Sequence, residues 1–274
     1  MAQHLPGQPL PSEARRPQQW HGARRAAEWL ALPAALALLV IAWWGLAKRF
    51  EHLDKAWLLP TPVDVVESFA RNRSLIAWHT QATLVEIVAG FAVGFSLAVV
   101  LGYVVYRSRT LDRLLTPYIV ASQAVPIIAV APLLVIWLGA GMRMKSLTAA
   151  LIVFFPMLVN TVVGLRNIDP ANRELMRALS ATPTQTLLKL EIPAAMPYLL
   201  AGLRVAVTLS VIGAVVGEFV GSSRGLGTLV LISGGQHNEA LKFAALLTLV
   251  ALALTLYGSA VALERVLLRG RMAA

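Results

Sequence analysis

Long apolar runs alternate with short polar stretches along the chain, at about 29–47, 82–106, 114–138, 147–165, 197–220 and 243–264. A helix needs about 20 predominantly apolar residues to cross the hydrocarbon layer of a bilayer, and each run reaches roughly that length. The pattern predicts six spans. The second carries Glu86 near one end, an interfacial position. The third holds Pro117, Pro126 and Pro132, so a kinked helix is expected there. Such prolines are tolerated in a span where neighbouring groups satisfy the freed backbone.

Two polar intervals have helical patterns of their own. In LLPTPVDVVESFA, Thr61 can cap, Pro62 suits the first helical position and Asp64 follows in the first turn. This predicts a short helix over about 62–76 with Val65, Val66 and Phe69 on one face. It would lie in the membrane interface or pack on the bundle as an ordinary extramembrane helix. The second interval, DPANRELMRALSATPTQTLLKLEIP, covers 169–193. Asp169 and Pro170 form a helix start, and Leu175, Met176 and Leu179 recur at helical spacing up to a stop near Ser180. Thr182-Pro183-Thr184-Gln185 is a second start close to a capping box. Leu187, Leu188 and Leu190 give that helix an apolar side, and Ile192-Pro193 is expected to end it. Two short amphipathic helices at a sharp angle suit a groove on another protein; a hairpin lying on the bilayer is the alternative. A DNA-binding helix-turn-helix does not fit, because the second helix offers only Lys189 as a base.

Composition agrees with this pattern. The chain is 57% hydrophobic and 14% charged, against roughly 25% charged in soluble domains. Its mean hydropathy is +0.68. The net charge of +10 comes from Lys and Arg spread through the loops, which is how a membrane protein sets its orientation, so nucleic acid is not an expected partner. With both termini cytoplasmic, the cytoplasmic side carries the larger share of these bases. Residues 1–28, with Arg15, Arg16, Arg24 and Arg25, read as a cytoplasmic polar tail before an uncleaved first span, and 29–274 as the membrane domain. A cleaved signal peptide would need a shorter leading region and a small-residue cleavage site. There is no cysteine, and the five histidines show no metal-ligand spacing, so no metal site is expected.

The 169–193 interval resembles the cytoplasmic loop of ABC importer permeases, whose pattern is E-A-A-x3-G-x9-I-x-L-P. Glu174-Leu175-Met176 falls on the E-A-A, Ser180 on the Gly, Leu190 on the Ile, Ile192 on the Leu and Pro193 on the Pro. Four further stretches resemble the nitrate, sulfonate and taurine branch, which includes thiamine-precursor and riboflavin permeases. They are LPTPVDVV at 59–66, SQAVPIIAVAPLLVIWLGAG at 122–141, PAAMPYLLAGLRVA at 193–206 and GEFVGSSRGLG at 217–227. The resemblance implies an all-α integral membrane protein of about six transmembrane helices, with the type I ABC importer permease fold and a cytoplasmic coupling helix. It implies a permease homodimer, two separate ATPase subunits using ATP and Mg, and an external solute-binding protein. Glu174, Arg177, Ser180, Leu187, Leu188 and Pro193 would make the ATPase-coupling contact. It also implies a bacterial cytoplasmic (inner) membrane location.

The chain has no phosphate-binding loop of its own. GAGMRMKS at 139–146 has Met144 where G-x-x-x-x-G-K-[ST] needs its second Gly, so it reads as a turn. No catalytic constellation or cofactor bound by this chain is expected. Gln123, Asn160, Thr161, Thr208 and Ser210 are the uncharged candidates for the solute path, each better suited to a helix–helix hydrogen bond than to a solute contact. Arg204 would snorkel from the fifth span. Glu218 would touch the binding protein or hold the GSSRGLG turn. An ion-driven secondary carrier is the alternative function, although midplane acids and internal repeats are not evident; a membrane enzyme is a third. Within the branch, FFP at 154–156 and VIGAVVGEF at 211–219 lean towards heterocycle carriers.

Overall fold

The computed structural model describes residues 20–53, 58–122 and 125–269. Residues 1–19 of the expected tail, and Gln123, lie outside the described residues. The chain divides into two compact units, Met1–Pro62 and Val63–Ala274. In the first, α1 (Trp20–His52) runs through Pro33, and Trp43 Nε1 donates to the Pro60 carbonyl at 3.1 Å. It is longer than the 29–47 run, because helix formation does not stop where apolarity does.

The second unit begins with α2 (Pro62–Arg71), which is shorter than the 62–76 expected. The chain turns at Asn72, whose side chain donates to the Ser68 carbonyl at 2.9 Å, and α3 (Arg73–Arg107) starts at once. Val65 is buried while Val66 and Phe69 stay exposed beside an apolar groove of about 290 Å³ against Ala244, Leu247 and Ala251. So α2 and α11 (Glu239–Arg269) form the two sides of this groove, with part of the apolar face of α2 turned into it.

The third apolar run is not one kinked helix. It is α4 (Arg109–Ser122) and α5 (Ile127–Leu138), turned by 97° to one another. Pro126 sits at the start of α5 in extended conformation, and a proline there can neither donate nor continue the preceding helix. Then follow α6 (Met142–Arg166), α7 (Pro170–Ala178), α8 (Pro183–Thr186), a π-helical turn (Leu187–Glu191), α9 (Ile192–Gly221) and α10 (Leu226–Gly235). Among the described residues, five helices are long and apolar enough to cross a membrane, six if the bent pair α4–α5 counts as one.

At the centre of this unit α6 packs between α3 and α9. Lipid tails are as apolar as leucine, so the contact depends on close approach rather than on excluding water. Small residues provide it. A Cβ on Gly94 would lie 2.5 Å from the Ala150 carbonyl, and one on Gly213 would lie 2.5 Å from Ala149 Cα. Larger side chains fill the remainder, with Ala98, Val105, Met157 and Leu158 buried between α3 and α6. Conversely, Val85, Val88, Leu97 and Val100 on α3 are exposed, as expected of a lipid-facing stripe. The bundle thus has two ends, one carrying the 222–225 turn and the other carrying 169–191.

Candidate functional site

At one end the chain leaves α6 through Asn167 and builds a compact elbow. Asp169 caps α7 by accepting from Ala171 N at 2.8 Å. The helix closes at Leu179, whose N–H bonds to Leu175 O at 3.0 Å, and Ala181 N reaches back to Met176 O at 3.0 Å. Between them Ser180 has φ +50, the left-handed conformation that usually selects glycine after a helix. Thr182 and Gln185 then form a full capping box, at 3.3 and 2.9 Å.

The chain does not break again at Pro193. Ile192 is helical at φ −60, ψ −51, and its N–H bonds five residues back to Leu187 O. The π-helical turn absorbs the donor that proline lacks, so residues 183–221 form one continuous helical rod. The second short helix of the sequence reading is therefore the end of a span.

Glu174, Leu175, Arg177 and Leu188 are exposed on this elbow, Leu187 is half-buried, and Leu175, Leu179 and Leu188 are more than half exposed at 56%, 67% and 59%. Pro193 is half-buried at the start of α9. Beneath the elbow lies a polar cavity of about 400 Å³ lined by Tyr106, Arg107, Arg109, Arg173, Arg177 and Glu191, among others. Tyr106 OH donates to Glu191 Oε1 at 3.2 Å, Arg173 lies 5.3 Å from the Tyr106 ring centroid, and Arg173 Nη2 donates to Leu165 O at 2.8 Å. An ion pair of Arg166 with Asp112 ties α6 to α4 nearby.

At the other end a buried polar cluster replaces the interfacial Glu86 of the sequence reading. Glu86 is 1% exposed and paired with Lys145. Lys145 Nζ also donates to Ser222 Oγ at 3.0 Å and to the Arg224 carbonyl at 3.1 Å. Glu218 accepts from Thr83 Oγ1 at 2.6 Å and from the backbone N–H of Gly227 and Thr228. His79 Nδ1 contacts the Gly225 peptide, and Arg224 stacks 4.2 Å from the Trp78 ring centroid while donating to the Trp78 carbonyl. Gly225, at φ +141, leaves no room for a side chain, because a Cβ would fall 2.1 Å from Glu218 Cδ. Glu218 thus holds the 222–227 turn. Lys145 escaped the sequence reading because it follows a glycine turn and was assigned to the loop; two ionisable residues in neighbouring spans were the signal for a pair.

Residues 90–270 match the family of binding-protein-dependent transport system inner membrane components. The chain belongs to that family. It is an ABC importer permease. The riboflavin transport system permease protein RibX of Chloroflexus aurantiacus is 40% identical over 246 residues, 88% of this chain and 91% of that protein. A probable ABC transporter permease protein of Haemophilus influenzae is 39% identical over 226 residues, 82% and 91% of the two chains. The formylaminopyrimidine transport permease protein ThiX of Halalkalibacterium halodurans is 36% identical over 196 residues, 71% and 78%. Among solved structures, the inward-facing MetNI methionine ABC transporter shares the fold at a TM-score of 0.64 and 20% identity, covering 72% of this chain and 97% of that one.

In this permease the four described uncharged path candidates bond to their own helices. Asn160 Nδ2 donates to Pro156 O, Thr161 Oγ1 to Met157 O, Thr208 Oγ1 to Arg204 O and Ser210 Oγ to Val207 O. The low polarity between spans is met by return bonds to the preceding turn. Thr161 and Ser210 are buried, Asn160 is half-buried and Thr208 is exposed. Ser210 also lines an apolar groove of about 310 Å³ with Ile87, Phe91, Leu203 and Leu256. Arg204 does not snorkel freely; its Nε pairs with Glu264 on α11 at 2.9 Å.

Proposed function

We propose that this permease couples ATP hydrolysis on a separate subunit to inward movement of a small solute delivered by an external binding protein. The elbow at 169–191 carries this reading. It is the place where exposed leucines and ions share a rigid, capped surface that continues as one rod into a span. Such a surface suits a cleft on a partner protein. Glu174, Arg177, Ser180, Leu187 and Leu188 make the contact and Pro193 fixes the junction with the span. The partner holds ATP and Mg, and this chain itself catalyses nothing. Two copies of the chain form the pore in lipid, as a homodimer. Both termini lie in the cytoplasm of a bacterial cell, and the 222–227 turn then faces the binding protein. The solute path uses Asn160, Thr161, Thr208 and Ser210, with Gln123 from the segment between α4 and α5.

The solute is a nitrogen heterocycle rather than a sulfonate or nitrate. The riboflavin and formylaminopyrimidine permeases, at 40% and 36% identity, support this over the taurine permease of Escherichia coli at 29%. Uptake into proteoliposomes containing the permease, its ATPase and its binding protein tests the choice. ATP-dependent accumulation of riboflavin or formylaminopyrimidine, with no accumulation of taurine, is expected; the reverse preference overturns it.

A further inference from the structure

Two groups at the elbow are left in an unusual condition. Arg173 Nε and Glu191 Oε2 are both buried without a hydrogen-bond partner among the described residues. One is a donor, the other an acceptor, and their residues line the same cavity. They flank the same phenol: Arg173 lies over the Tyr106 ring, and Glu191 accepts from its hydroxyl. Buried polar groups in native proteins are nearly always paired, with protein or with water, so a donor and an acceptor of opposite charge on the wall of one polar cavity can exchange solvent for each other.

The elements that carry them allow that exchange. Arg173 is on α7, which is joined in sequence to the bundle through the Asn167 turn on one side and the Ser180 turn on the other, and which Arg173 itself ties to the Leu165 carbonyl and the Tyr106 ring. Glu191 is on the π-helical turn, the last turn before α9 becomes a regular span. π-helical turns are uncommon and concentrate at functional positions, because the extra residue can be taken up or released. A shift of α7 towards α9 would bring Arg173 off the Leu165 carbonyl and onto Glu191.

We propose that Arg173 and Glu191 are the two halves of a latch, open in this conformation, that closes into an ion pair when nucleotide drives the elbow. The latch rests on the coupling role assigned to 169–191 above. Closing exchanges the Arg173–Leu165 bond at the end of α6 for a bond to the base of α9, so it moves a tie from one span to another. That gives the elbow two discrete arrangements, which is what coupling between distant sites requires. Arg107, Arg109 and Arg177 line the same cavity, so the pairing must be shown to belong to Arg173.

The test uses the full permease reconstituted with its ATPase subunit. A disulfide between cysteines introduced by R173C and E191C is expected to form at least about threefold faster with a non-hydrolysable ATP analogue and Mg than without nucleotide. In parallel, hydrogen exchange at the 222–227 turn is followed with and without the analogue. R173E and E191R should each abolish the nucleotide response, and the charge swap R173E/E191R should restore it to within about twofold of wild type, while R109E, at another arginine of the same cavity outside the coupling contact, should leave it in place. A disulfide yield indifferent to nucleotide, or a swap that behaves like the single variants, overturns the latch. A purely structural role would lower the melting temperature of the singles and leave the nucleotide response of the turn intact, which also overturns it. Crosslinking of a cysteine at position 180 to the ATPase is run alongside: its presence with an indifferent disulfide refutes the latch alone, and its absence refutes the coupling role beneath it.

Discussion

Ser180 stands where the family pattern has glycine, and it takes the left-handed conformation that explains the preference. An L-residue there costs about 1–2 kcal/mol relative to its right-handed state. Ser180→Gly is therefore expected to slow hydrogen exchange of the 170–186 amides, and Ser180→Val, stiffened by its β-branch, to speed it. The buried pair Glu86–Lys145 behaves differently. Removing one partner of a buried ion pair costs about 3–5 kcal/mol, whereas replacing both with neutral groups costs far less. Lys145→Met should lower the detergent melting temperature sharply, and Glu86→Gln added to it should recover most of the loss; additive losses would contradict the pairing. Gly225→Ala should be more damaging than either, since its Cβ would overlap the Glu218 carboxylate. Gly258→Ala, with open space around it in α11, should be neutral or mildly stabilising. Sequence reasoning reached Ser180 and Glu218 because turn chemistry is local. It misplaced Glu86, because whether an acid near a span end meets water or a lysine depends on a residue 59 positions away.

The elements differ in how far local pattern determines them. Helices starting at Asp169-Pro170 and at Thr182-Pro183 were legible, because capping involves residues within one turn of one another. The end of the second was not. Ile192-Pro193 reads as a stop in any α-helix, and only the five-residue register at 187–191 lets the rod pass through it. The same holds for the third apolar run, where three prolines announced a bend but not a 97° break. The π-helical turn gives a prediction at this scale. Deleting Leu188 would restore an ordinary register and rotate everything before it by about 100° relative to α9, since each residue of an α-helix turns by that angle. The elbow would then present the wrong face. Expression and melting temperature should hold while nucleotide-dependent uptake falls at least about tenfold; uptake near wild type would mean the rod's register is immaterial.

At the scale of the whole molecule, the unit Val63–Ala274 joins two polar ends through one rod. The helical rod from Pro183 to Gly221 runs from the elbow to the turn that Glu218, Thr83 and His79 hold in place. Packed against α6 through Gly213 and other close contacts, it can pass displacement along its length without bending freely. Composition and hydropathy revealed the membrane class and most of the spans, because lipid imposes the same apolar length on every helix. They could not reveal which end receives force, since that depends on what docks there. The account stands on the elbow at 169–191 being the ATPase contact. The chain has no cysteine, so a single one introduced by Ser180→Cys reports on that surface alone. Crosslinking it to the purified ATPase subunit, with and without ATP analogue, is the most direct test. A crosslink whose yield changes with nucleotide is the expected result. A cysteine that never meets the ATPase and is instead shielded by lipid would contradict the account and make the elbow a membrane-surface hairpin.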